Sequence, residues 1–161
     1  MKKFKFLKKI FTNIKFQEKK NFLVQLPIFK ELSLKDIARL MRGLKEKTFL
    51  KDEILFKQGD AARALFIVSK GKVDLKKTNP DNTSEIIGHA NAGEFFGEMA
   101  LLEDMPRTVT AVATEKTHVF MLFKSTLDNM VFDRSKAGVS IIHYLAKTLS
   151  ARVRTLTEDK K

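Results

Sequence analysis

The residues best placed for chemistry lie between Gly93 and Thr108. They read Gly93-Glu94-Phe95-Phe96-Gly97-Glu98-Met99-Ala100-Leu101-Leu102, followed after a short turn by Pro106-Arg107-Thr108. Gly93 and Gly97 permit backbone angles that a side chain obstructs, and Gly97 lets a ligand approach the main chain closely. Residues Glu98 to Leu102 favour helix, so a short helical turn can start there. The first N–H groups of such a turn have no intrahelical partner and suit an anion. Arg107 follows across a turn marked by Pro106, and a guanidinium grips phosphate oxygens through two parallel hydrogen bonds. Glu98 would repel a phosphate, but it can accept hydrogen bonds from a nearby sugar hydroxyl. The stretch therefore reads as a site for an anion beside a hydroxyl. The plainer alternative is a β-hairpin in which Glu98 and Arg107 form an ordinary ion pair.

The elements that must position these residues follow from patterning. Short strands are expected at Glu46–Leu50, Glu53–Lys57, Ala64–Ser69, Lys72–Lys76, Glu85–His89, Thr108–Ala113 and His118–Phe123. Turns fall at Gln58-Gly59-Asp60, Ser69-Lys70-Gly71 and Asn79-Pro80-Asp81-Asn82. Strands at this pitch make a sandwich or a barrel. Before them, Ser33 with Asp36 reads as a capping box for a helix carrying Ile37, Leu40, Met41 and Leu44, ended near Gly43. After them, Ser125 with Asp128 reads as a second box for a helix to about Val131. A longer helix is expected over Ser135–Thr157. Its Ile142, Leu149 and Leu156 recur every seven residues with Leu145 between the first two, as in a seam that can take the barrel or a second copy of the chain. Arg152 interrupts that seam.

Composition bounds the rest. The chain has 161 residues, 43% hydrophobic and 31% charged, a globular balance long enough for a real core. Phe occurs 14 times and Trp never, so the core should be phenylalanine-rich. With no cysteine, disulfides and thiolate metal sites are excluded. Net charge is +12, and residues 1 to 20 hold eight lysines against one acid, Glu18. Within them Phe4, Leu7, Phe11 and Ile14 fall on one helical face, with Phe6, Ile10 and Phe16 off the narrow stripe. This basic segment can lie on an anionic membrane or a partner. The reading preferred from sequence is that its apolar face packs on its own domain with the lysines solvated. No apolar run approaches the roughly 20 residues of a membrane span, and the expected location is cytoplasmic, with attachment to a membrane surface through residues 1–20 as the alternative.

Phe96 to Leu101 and Pro106 to Thr108 closely resemble the phosphate-binding cassette of the cyclic nucleotide-binding domain family. That family includes bacterial catabolite activator proteins, protein kinase A regulatory subunits and cyclic nucleotide-gated channels. Phe29-Lys30-Glu31-Leu32-Ser33, Gln58-Gly59-Asp60 and the run ending at Gly71 resemble further family elements, so the likeness spans about residues 22 to 157. It implies an α+β fold, a β-roll with N-terminal helices before it and two C-terminal helices after it. The roll would cover about 46–123 and the C-terminal helices about 125–157, within a domain 21–161 preceded by the basic segment 1–20. By the resemblance, Glu98 takes the ribose 2′-hydroxyl and Arg107 the cyclic phosphate. Phe96, Gly97, Met99 and Ala100 belong to the cassette, the last three offering main-chain N–H donors. Thr108 offers a hydroxyl to phosphate or base, and Val73 and Ile87 wall the base. Arg154 and Thr157 are candidates for the lid.

The resemblance implies a regulatory module for cAMP, with cGMP as the alternative ligand because Thr108 can meet a guanine amino group. No cofactor, metal or catalytic residue is expected. The chain ends at Lys161, where the family's transcription factors continue into a helix-turn-helix, so a stand-alone module without sequence-specific DNA binding is expected. A homodimer through the last helix, an unidentified protein partner and an anionic membrane surface remain as partners. A surface adaptor with a silent pocket is a further alternative. The last is a cupin-like metalloenzyme, for which only His89, His118 and His143 are present, without ligand spacing.

Overall fold

Alternating burial along the strands decides how they lie. In the computed structural model, which describes residues 2–158 and leaves the side chains of residues 2–13 and of Leu156 outside the described set, eight strands form two antiparallel four-stranded sheets. One sheet holds β1 (Lys45–Phe49), β8 (Thr117–Phe123), β3 (Ala64–Lys70) and β6 (Phe95–Phe96), in that order. The other holds β2 (Ile54–Phe56), β7 (Thr110–Ala113), β4 (Lys72–Thr78) and β5 (Ser84–Asn91). Ala64, Phe66 and Val68 of β3 point with Val73, Phe96 and Ala111 into one shared core. The rings of Phe56, Phe66 and Phe96 form its centre, with centroids 5.3 to 5.9 Å apart. Leu65 and Ile67 lie on the opposite face of β3 and are also buried, so this central strand is covered on both sides.

The sheets stay open rather than closing into a barrel, and β6 is a strand that the sequence pattern does not announce. Two residues are too few to show a period of two. Register breaks at Val68/Lys70 in β3 and at Leu75/Lys76 in β4, which locally bend the strands. The hairpin from β4 to β5 turns through Asn82, at φ 64°, braced by Asp81 Oδ1 accepting the Thr83 N–H at 3.0 Å and the Thr83 hydroxyl at 2.6 Å. Those two bonds hold the Asp81 carboxyl below its ordinary pKa.

Two compact units result: residues Gly43–Asp133, and the residues up to Arg42 together with those from Arg134 onward. The first contains both sheets and α3 (Lys124–Phe132), which packs on β8. Strand β8 runs straight into α3 with Phe123 extended as its N-cap and no side-chain cap. Ser125 therefore lies inside the helix and cannot act as its cap, contrary to the capping box expected there.

The second unit holds α1 (Lys2–Gln25), a 3-10 turn at Pro27–Phe29, α2 (Leu34–Gly43) and α4 (Lys136–Glu158). Ser33 caps α2 as expected, its hydroxyl oxygen accepting the Asp36 N–H at 3.2 Å. The reciprocal half differs: Asp36 Oδ2 takes the Ser33 hydroxyl at 2.6 Å. In α4 the buried side is Ala137, Ile141 and Leu145, recurring every four residues, and α4 packs against the Pro27–Phe29 turn. The heptad residues Ile142 and Leu149 are only half-buried, and Leu156 lies outside the described side chains. Among the described residues no helix is long and apolar enough to cross a membrane.

Candidate functional site

The candidate site grows out of the edge of the first sheet. Phe95 and Phe96 pair with Ile67 and Phe66, which fixes the start of the cassette against β3. The chain reaches that edge through a turn braced by Val68: Gly93 N–H bonds the Val68 carbonyl and Val68 N–H bonds the Glu94 carbonyl, each at 2.9 Å. Gly97 then adopts a left-handed conformation, φ 73° and ψ 27°, and caps a 3-10 turn over Glu98–Leu101. This is the short helical turn that the sequence predicts. Its internal bonds are few, with Ala100 N–H to the Gly97 carbonyl at 3.3 Å and Leu102 N–H to the Met99 carbonyl at 2.9 Å. The Ala100 N–H expected to serve a ligand is thus already engaged within the turn.

Arg107 is brought to the head of the same turn from the other side. Its main chain is strapped to the Gln58–Asp60 turn, Gly59 N–H bonding the Arg107 carbonyl and Arg107 N–H bonding the Asp60 carbonyl, both at 2.8 Å. Its guanidinium is nearly buried. Nη2 donates to the Ala64 carbonyl at 2.6 Å and Nη1 to the Gly97 carbonyl at 3.3 Å. The guanidinium carbon lies 4.0 Å from the Phe56 ring centroid and 5.4 Å from that of Phe66. Nε is buried without a hydrogen-bond partner. Burial pushes the Arg107 pKa down from its ordinary value, and the nearby Asp60 charge opposes this. An arginine side chain remains a cation at neutral pH all the same.

Glu98 is likewise buried, 4% exposed against 8% for Arg107. Both charged residues are buried at one turn, and the unmet Nε donor of Arg107 is costly unless something uses it. A Cβ built on Gly97 would stand 2.5 Å from Arg107 Nη1, so only glycine lets the guanidinium reach the turn.

The other expected residues separate into two groups. Phe96 and Val73 lie in the shared core, Val73 fully buried between Ala90 and Ala113. Met99, Thr108 and Ile87 are exposed, Ile87 at the register break of β5. Arg154 and Thr157 are exposed in the last turns of α4, in the other compact unit, where the Thr157 hydroxyl donates to the Arg154 carbonyl at 2.7 Å. Sequence reasoning missed Phe56 and the Ala64 carbonyl, the ring and the acceptor that hold the guanidinium. A carbonyl 43 positions away leaves no mark in sequence.

The histidines do not converge. His89 Nδ1 sits 2.7 Å from Asp74 Oδ1, His118 Nδ1 sits 2.7 Å from Ser69 Oγ, and His143 lies on α4. Among the described residues no group of three or more His, Cys, Asp or Glu is placed to hold a metal.

Known proteins share the fold that carries this turn. Residues 46–134 match the cyclic nucleotide-binding domain family. The chain is 30% identical over 113 residues to a cAMP-dependent protein kinase regulatory subunit of Mycosarcoma maydis, covering 70% of this chain and 21% of that protein. It is 31% identical over 128 residues to the cyclic AMP receptor protein of Thermus thermophilus, covering 80% of this chain and 57% of that one. The match thus spans from about a fifth to just over half of these relatives. Among solved structures, a cyclic nucleotide-binding domain from Methylobacillus flagellatus superposes with a TM-score of 0.75 at 25% identity, over 88% of this chain and 79% of that one. With the family match running through both sheets and the cassette between them, the chain belongs to the cyclic nucleotide-binding domain family.

Proposed function

We propose that this chain is a regulatory module that binds a purine 3′,5′-cyclic monophosphate, with cAMP preferred over cGMP. The observation that carries the reading is the pair of buried charged residues at one glycine-capped turn, Glu98 and Arg107, the second with its Nε unpartnered. In this reading Arg107 takes the cyclic phosphate, for which Nε and a neighbouring Nη form a two-pronged donor. Glu98 accepts the ribose 2′-hydroxyl. The Gly97 and Met99 N–H groups add donors at the turn, and Thr108 and Ile87, both exposed, face the base. The names of the two relatives above support cAMP. Thr108 keeps cGMP as the competing ligand.

Ligand binding is then a bias on a two-state equilibrium, which requires different contacts in the two states. The proposed moving parts are α3 and α4, with Arg154 and Thr157 as lid candidates. Calorimetric titration with cAMP, cGMP and noncyclic AMP tests the assignment. The expected result is a Kd of about 1 μM or below for cAMP, equivalent to ~8 kcal/mol of binding, weaker binding of cGMP, and no saturable heat with AMP. Tighter cGMP binding would reverse the ligand preference. Equal binding of AMP, or no binding of either cyclic nucleotide, would overturn the reading.

A further inference from the structure

The segment before the Pro27–Phe29 turn has a chemistry that nucleotide binding does not use. Helix α1 runs 24 residues, from Lys2 to Gln25, and its far end is anchored: Leu23 is fully buried, Leu26 follows it into the core, and Lys19 Nζ donates to the Met41 carbonyl at 3.3 Å. Ahead of that anchor the cover stops. Ile14, Lys15, Phe16, Gln17 and Glu18 are all exposed, with Ile14 at 47% and Phe16 at 42%. Five consecutive residues exceed one turn of about 3.6, so the chain leaves α1 uncovered there on every side. Of the apolar face, Phe4, Leu7 and Phe11 lie outside the described side chains, and Ile14 is not packed away into the domain.

The sequence ahead of these exposed residues says what surface this end of α1 suits. On a helix, positions 4, 7, 11 and 14 recur on one side with 6 and 10 beside them, and all six are Phe, Leu or Ile. Lys5 and Lys9 lie on the opposite side with Phe16 between them, and Lys8 and Lys15 border the apolar side one turn after Phe4 and Phe11. Eight lysines against the single acid Glu18 make a second copy of the same helix a repulsive neighbour. The same charge attracts an anionic surface. A nucleic acid would satisfy the lysines and leave the bulky apolar side idle, whereas the interface of an anionic bilayer uses both. We propose that α1 is a membrane-surface helix that holds this module on anionic lipid.

Co-sedimentation of the full chain tests this, with vesicles of phosphatidylcholine mixed with phosphatidylserine, pure phosphatidylcholine vesicles, and a uridine homopolymer as three arms. The chain should pellet with the mixed vesicles, stay in solution with the neutral ones, and detach as salt is raised. A Lys5→Gln, Lys8→Gln, Lys9→Gln variant should bind mixed vesicles about 100-fold more weakly. A Leu7→Gln, Phe11→Gln variant should lose at least about tenfold with every lysine kept. Circular dichroism melting of each variant shows that the fold is retained. Equal pelleting with neutral and anionic vesicles would overturn the proposal, as would tighter binding to the homopolymer. Unchanged vesicle binding by the Leu7→Gln, Phe11→Gln variant would overturn it too, because charge alone would then explain the attraction.

Discussion

At the scale of single residues, the site turns on how closely Arg107 approaches Gly97. Both were legible in sequence, because a left-handed glycine before a helical turn and an arginine after a proline are local signals. What holds the arginine was not legible, since the Ala64 carbonyl and the Phe56 ring come from strands distant in sequence. Two glycines with positive φ separate strain from function. Gly97→Ala and Gly59→Ala each force a Cβ into the left-handed region, at about 1–2 kcal/mol of stability. Only at Gly97 does that Cβ meet the guanidinium, whereas around Gly59 nothing lies within 4 Å. Thermal melts should therefore show a loss for both variants, the larger for Gly97→Ala, where the buried guanidinium must also shift. Nucleotide titration should show at least a tenfold affinity loss for Gly97→Ala and little change for Gly59→Ala. Equal affinities would mean that the guanidinium's reach to the turn does not matter for binding.

At the scale of elements, the strands with clear alternation were legible and the exceptions have physical reasons. Strand β6 is too short to show a period. Ser125 mimics a cap, but the extended Phe123 lets β8 feed α3 directly, one residue ahead of Ser125. In α4 a heptad of apolar residues suggests a seam, while the buried side recurs every four residues through Ala137, Ile141 and Leu145. Urea unfolding distinguishes the two faces: Leu145→Ala should cost about 2–5 kcal/mol, and Val153→Ala, 60% exposed, should stay within about 0.5 kcal/mol. The β4–β5 hairpin adds a pH signature. Asp81 has a folded pKa below its ordinary value, so the folded state binds fewer protons than the unfolded one through that range. Its contribution is present above the ordinary carboxylate pKa and is lost as pH falls through the lower folded value. Chemical shifts of the Thr83 amide should titrate below about pH 4, and Asp81→Asn should remove that titration. Persistence of the titration in the variant would assign it to another group.

At the scale of the whole molecule, composition anticipated the phenylalanine rings at the centre of the sheet core, though leucine is the commoner buried residue, and the family match covers most of the unit that carries both sheets. Relations between distant segments were not legible, because they depend on which buried surfaces meet rather than on local pattern. The proposed switch belongs to this scale. Hydrogen exchange over α3 and α4 should slow when cyclic nucleotide saturates the site, and an unchanged exchange pattern would leave a passive binder. The central claim, that a buried glutamate and arginine at one turn hold a cyclic nucleotide, is tested most directly by calorimetric titration of cAMP into the wild type and the folded Arg107→Ala variant. Removing a buried partner of a charged ligand group costs about 2–5 kcal/mol, so the variant should bind about 30-fold more weakly or worse. A folded Arg107→Ala protein that binds cAMP as tightly as the wild type would contradict the account.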